Sequence, residues 1–267
     1  MTSPWRGFFL GTFLIMVLGG LSAQNLSTLS SQSEISVLTM GPGKEIYLAF
    51  GHSAFRVKDP VLDIDWVFNY GTFSLEDPLF IPRFVQGELN YMLSRQSFED
   101  YLAYDKRTQN REWIEQTLNL DQDQKNAMVK FLINNARDEN KYYLYDFIGD
   151  NCSTRIKDAL ISVLGAKLTF DQGVIPGKTY RQMLDEWDSG RPFYQFLFYL
   201  SVGQAADQVV IPTRADWLPY NLLSILEGAN LEVDGKQEPL VLSKSWIYTP
   251  VVPSNYDEPW SNPAYLL

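Results

Sequence analysis

Apolar and polar residues alternate along "SEISVLTM", and the alternation stops at Gly41-Pro42-Gly43. A period of two marks a strand with one face buried. The next run, "KEIYLAFGHSAFRVKD", reads as one long strand with an irregularity at Gly51, because glycine inside a strand pattern signals a bulge. Asp59-Pro60 opens a turn, and "DIDWVFNYGTF" returns as the partner strand. These runs predict an antiparallel meander.

Helical spacing takes over further along. "PLFIPRFVQGELNYML" predicts a short helix or loop followed by an extended piece at Tyr91–Leu93. "SFEDYLAYDKRTQN" predicts a helix capped by Ser97, and "REWIEQTLNL" alternates like a strand. In "LDQDQKNAMVKFLINNAR", Asp121 and Gln124 form a capping box ahead of an apolar stripe at Ala127, Met128, Phe131 and Leu132. "NKYYLYDFIGD" is extended and aromatic. It leads into "NCSTRIKDALISVLG", where Ile156, Ala159, Leu160, Val163 and Leu164 share one helix face and Gly165 ends the run. Cys152 therefore opens a helix, with Asp150 or Asn151 as its cap. Past residue 166 the pattern predicts three helices, at "TYRQMLDEWDSG", "RPFYQFLFYLSVGQAADQ" and "TRADWLPYNLLSILEGANL", then a strand at "EPLVLSKSWIYTP" and an irregular proline-rich tail.

Composition narrows the class. Apolar residues at 45% and aromatics at 14% of 267 residues argue for one sizeable core rather than disorder. A formal net charge of −10 argues against a nucleic-acid partner, which needs a basic face. The first residues have the form of a signal peptide, with Arg6 before an apolar run that ends at Ser22-Ala23. The expected organisation is a removed segment 1–23, a flexible polar leader 24–33, and a single α+β domain 34–267. Within that domain, a core spans about 34–165 and a mainly helical extension spans about 166–267. No later stretch approaches the ~20 apolar residues of a membrane span, so an exported, periplasmic chain without a transmembrane segment is expected.

The chain has one histidine, His52, and one cysteine, Cys152. This excludes an intramolecular disulfide and the usual His/Cys zinc site, so no metal and no cofactor is expected. A thiolate at a helix N-terminus is stabilised by the partial positive charge there, and an adjacent imidazole can hold the ion pair and later protonate a leaving group. A third group orients the imidazole. A hairpin centred near residues 60–61 puts Asn69 opposite His52, with Asp65 as the charged competitor. First-turn groups at Asn151 and Cys152 are candidates for oxyanion binding, and Tyr145 and Arg155 for substrate contact. The bland readings stand beside these: a lone cysteine is more often a small buried hydrophobe, Tyr145 a sheet aromatic, and Arg155 a surface residue paired with Asp158.

The stretches "PGKEIYLAFGHSAFRVKDP", "DWVFNYGTF" and "YYLYDFIGDNCSTRIKDAL" resemble the lacto-N-biosidase N-terminal periplasmic domain family, frequent in Bacteroidota. More distantly, the order His then Asn-Cys resembles permuted NlpC/P60 papain-like thiol hydrolases. That resemblance implies a permuted papain-like α+β fold with His52 as base and Cys152 as nucleophile. The third polar position falls on the strand that holds Asp65 and Asn69. The expected activity is cleavage of an amide or ester bond in a cell-envelope peptide, glycopeptide or acylated substrate. The alternative is a non-catalytic periplasmic binding or scaffold module that retains the cleft. "NCSTR" departs from the "NCEHF" of the related acyltransferases.

Overall fold

A computed structural model describes residues 28–73, 82, 83, 86, 88, 90–171, 177–187, 192–233 and 235–250. The expected signal segment, the proline-rich tail and most of "PLFIPRFVQGEL" lie outside the described residues. The fold is α+β. A seven-stranded sheet runs in the order β10-β5-β1-β2-β3-β4-β6, built from β1 (Glu34–Met40), β2 (His52–Asp59), β3 (Ile64–Thr72), β4 (Asn90–Ser97), β5 (Trp113–Leu118), β6 (Tyr142–Leu144) and β10 (Val241–Tyr248). Every pairing in it is antiparallel. A second sheet joins β7 (Leu168–Phe170), β8 (Ala229–Val233) and β9 (Lys236–Pro239).

Strand alternation gives the main sheet two buried faces. Val37, Phe55, Val57 and Phe68 enter the larger core, which also holds Ile156, Ala159 and Leu160 of α3 (Cys152–Leu164). Leu38, Met40, Ala54 and Val67 point the other way, onto Phe98 and Trp113 beside α1 (Phe98–Thr108). Full burial of such side chains stabilises by roughly 1.5–3 kcal/mol each, which fixes the register because a one-residue slip would exchange the faces. Ser97 caps α1 by accepting from the Asp100 amide. Asp121 and Gln124 form the capping box of α2 (Gln122–Asn135).

Three expectations are corrected. The run "KEIYLAFGHSAFRVKD" is not one strand. Ile46–Leu48 forms a 3-10 turn, and Gly51 turns the chain with φ +87° before β2 begins at His52. A side chain at 51 would also sit 2.5 Å from the Met40 carbonyl oxygen, so glycine is required there. The leader is held down at its end: Leu29 is buried, its amide donates to Asn126 Oδ1 at 2.8 Å, and Ser30 bonds Asp59. The third C-terminal helix is shorter than its apolar pattern suggests. Pro212–Trp217 is a 3-10 segment, α6 covers Pro219–Glu227, and "ANLEV" is strand β8. The extension is mainly helical, as expected, with α4 (Tyr180–Trp187) and α5 (Pro192–Val202) besides α6, and it also carries four strands. Its last strand, β10, completes the edge of the main sheet against β5.

Candidate functional site

His52 opens β2, and Cys152 is the first residue of α3. They meet at the end of the sheet rather than across its face. The Ser53 and Ser153 hydroxyls, 3.3 Å apart, tie the strand to the helix at the next residue of each. Both His52 and Cys152 line one cleft of about 110 Å³, with Asn69, Gly71 and Tyr91. Its walls are aromatic, including Phe50, Phe147, Phe198 and Trp217, and no Asp, Glu, Lys or Arg of the described residues lines it.

Asn69 is hydrogen-bonded to the imidazole. His52 Nε2 lies 2.6 Å from Asn69 Oδ1, and the Gly71 amide donates to the same oxygen at 2.7 Å. An amide N–H requires an acceptor, so the atom facing it is the side-chain oxygen. That oxygen in turn requires His52 Nε2 to carry its proton. Asn69 Nδ2 donates to the Tyr101 hydroxyl at 3.4 Å. The ring nitrogen left unengaged by Asn69 is Nδ1.

The register differs from the simple hairpin count. Phe55 pairs with Phe68 and Asp59 with Ile64. Continued toward the cleft, this ladder sets His52 opposite Gly71 and leaves Asn69 two residues along on the same face. Because side chains repeat every two residues, Asn69 still reaches the ring. Asp65 does not. It faces Lys58 across the ladder, and its carboxylate holds Arg56 through bonds of 2.8 and 2.7 Å.

The thiol responds to this setting. Burial raises the Cys152 pKa. The His52 charge and a hydrogen-bonding contact from its ring, with the Ser53 amide and the Ser153 hydroxyl, more than offset burial and bring it below the ordinary thiol value. Sulfur sits 3.9 Å from Ser153 Oγ and is half-buried.

The remaining expected site residues divide. Tyr145 lines the cleft and stacks on Tyr91 with ring centroids 4.3 Å apart. Asn151 lines it too, but its side chain is fully engaged in structure. Oδ1 caps the Ser153 and Thr154 amides, and Nδ2 donates to the Phe147 and Trp217 carbonyls. The Cys152 amide is the first-turn donor that this cap does not take. Arg155 points away from the cleft. It pairs with Asp150, not Asp158, at 2.5 and 2.7 Å, and lies 3.7 Å over the Tyr143 ring.

Sequence reasoning missed Gly71, Tyr91, Tyr101 and the two serines. Gly71 had a readable signal, since glycine within a strand marks close approach of another group. The tyrosines had none, because an inward aromatic on a strand or helix looks the same whether it packs or faces a cleft.

Among the described residues, no cluster of His, Cys, Asp or Glu is arranged to hold a metal ion, and no helix is long and apolar enough to cross a membrane. Fold and cleft together define an α+β domain with a single cysteine, histidine and asparagine gathered at one end of an antiparallel sheet. The chain belongs to the family described as the Lnb N-terminal periplasmic domain, whose profile matches residues 23–186, and it is periplasmic. No curated protein and no solved structure matches it.

Proposed function

We propose that the chain is a periplasmic thiol hydrolase that cleaves an amide or ester bond in a cell-envelope substrate. The observation that carries the reading is the His52–Asn69 bond of 2.6 Å, in a cleft where Cys152 has a lowered pKa. With Nε2–H held by Asn69, Nδ1 is the nitrogen available to the sulfur. Cys152 Sγ forms a bond to the carbonyl carbon, and the carbonyl π electrons move to oxygen. As the tetrahedral species collapses, the leaving nitrogen or oxygen departs with the proton held by His52. Water then adds to the thioester, giving its proton to His52, and the acid is released as sulfur departs. The uncharged aromatic walls favour an apolar acyl group beside the sulfur over a highly charged peptide. The order of a histidine strand before a cysteine helix that packs on it supports a permuted papain-like ancestry.

A second reading is favoured by the comparisons: a non-catalytic periplasmic module that keeps the cleft for binding. The family description supplies a location and no reaction, and the chain has one cysteine and no metal cluster among the described residues. One experiment separates the two. Mature protein is incubated with p-nitrophenyl butyrate, release of nitrophenol is followed, and the adduct is located by mass. A transient acyl adduct on Cys152 with turnover, absent in Cys152→Ala, supports hydrolysis. An inert thiol that labels only after unfolding establishes the binding module.

A further inference from the structure

Tyr91 is inward-facing near the start of β4, paired with Tyr143 of β6. Only 4% of its surface is exposed, yet it lines the cleft. Three rings fix it: Tyr145 stacks on it at 4.3 Å, and Phe73 and Tyr143 approach to 4.9 and 6.1 Å. Its hydroxyl takes no hydrogen-bond partner among the described residues, and it is not sealed inside protein as the Trp217 indole nitrogen is. A phenol hydroxyl that opens onto a cleft without a protein partner is free to hydrogen-bond what enters it, water or a ligand.

The other tyrosines around the cleft sit in different surroundings. Tyr143 donates to the Tyr70 carbonyl, the Tyr101 oxygen accepts from Asn69 Nδ2, and Tyr145 is the ring that stacks on Tyr91. Tyr70 lies beneath the Arg155 guanidinium, whose charge its hydroxyl feels.

Resting on the thiol-hydrolase reading above, we propose that Tyr91 is a catalytic residue whose hydroxyl donates a hydrogen bond to the substrate carbonyl oxygen as Cys152 attacks. Sulfur forms its bond to carbon, the carbonyl π pair moves to oxygen, and that oxygen accepts from the Tyr91 O–H and from the Cys152 amide. No proton leaves Tyr91. Burial, and the neighbouring Cys152 charge after it, raise the Tyr91 pKa well above the ordinary phenol value, so the hydroxyl stays a donor throughout the range in which the thiolate forms.

The test compares wild-type protein with Tyr91→Phe, which keeps the ring and its stacking. Two reagents are used on each. Iodoacetamide alkylates sulfur by direct displacement and develops no oxyanion, whereas p-nitrophenyl butyrate acylates through one. The expected result is an unchanged alkylation rate and pH profile with acylation slowed on the order of 10²-fold. Equal acylation rates in the two proteins overturn the role of Tyr91. Parallel loss of alkylation and acylation overturns it as well, because the residue then acts on the fold or the thiol. If wild-type protein is alkylated but never acylated, the hydrolase reading itself falls, and the Tyr91 role falls with it.

Discussion

A side chain at Gly71 would collide with the His52 imidazole: a Cβ built there lies 2.3 Å from Cε1 and 2.9 Å from Nε2. The ring packs directly on the backbone of β3, and the same backbone donates the Gly71 amide to Asn69 Oδ1. Gly71→Ala must therefore push the ring away from Asn69. Overpacking of this kind costs about 1–3 kcal/mol. The larger effect is expected on reactivity, with neutral-pH alkylation of Cys152 falling at least about tenfold while the far-ultraviolet spectrum is retained, since each unit of thiol pKa is a tenfold change in thiolate at low ionisation. Unaltered alkylation in Gly71→Ala would show that ring placement does not govern the thiol.

The pH profile of the same reaction separates Asn69 from Asp65. Cys152 titrates below the ordinary thiol value because of His52, so labelling of wild-type protein should persist at lower pH than labelling of a free thiol. His52→Ala should move the profile to higher pH. Asn69→Ala, which frees the ring, should move it in the same direction by less. Asp65→Asn should leave it in place, since its carboxylate serves Arg56, which Glu115 also holds. The sign also bears on folding. An acid whose native pKa is lowered adds stability above its unfolded pKa, and that stability is lost as pH falls through the native value. Wild-type protein should therefore gain stability over His52→Ala toward alkaline pH. Denaturant midpoints measured across that range check it.

Asn151 ties the helix, the preceding loop and the C-terminal extension together. Its four bonds cap two amides of α3 and reach the carbonyls of Phe147 and Trp217. Asn151→Ala loses the cap and leaves buried backbone groups unpaired, for a loss of roughly 2–4 kcal/mol. Asn151→Asp keeps the acceptor but removes the donor to both carbonyls, so it should retain the cap and still lose part of that stability. Urea unfolding of the two variants distinguishes the halves. Equal midpoints for Asn151→Asp and wild type would mean that the two carbonyl bonds contribute nothing.

The meander and the helix start at Cys152 were legible because each rests on a local rule, period two and a cap residue. The hairpin count that set Asn69 opposite His52 was off by two residues, and the two side chains meet because Asn69 shares a face with Gly71. The misreadings share a cause. "KEIYLAFG" has enough apolar residues for a strand, but Gly51 packs so close to the Met40 carbonyl that only glycine fits, a close approach of the preceding strand that no local pattern encodes. "GANLEV" follows a helical run without a strong break, and its strand exists because β7 and β9 flank it. Asp65 was a reasonable partner for an imidazole until Arg56 appeared beside it, two residues along β2 from Ala54. Ser30 looked unanchored because its partner, Asp59, lies at the far end of β2.

Asp59 gives the clearest pH dependence away from the cleft. Its side chain is wholly buried at one end of β2 and accepts from the Ser30 amide and hydroxyl and from the Val61 and Leu62 amides. Burial raises its pKa, but these donors more than offset burial, and the net direction is below the usual carboxylate value. The charged form is therefore favoured in the native state. The stability it supplies is fully present above the unfolded pKa of about 3.9 and is lost as pH falls through the lower native value. Asp59→Asn replaces one acceptor oxygen by a donor that faces donors, so it should destabilise by at least about 1–3 kcal/mol at neutral pH. It should also flatten the acid limb of the stability curve. Ser30→Ala removes one of the four donors and should reproduce a smaller part of both effects. If Asp59→Asn and wild-type protein lose stability in parallel between pH 5 and pH 2, as orders of titration set by the carboxylate range, then the acid sensitivity lies in other carboxylates and Asp59 is not the group that fastens the leader to β2.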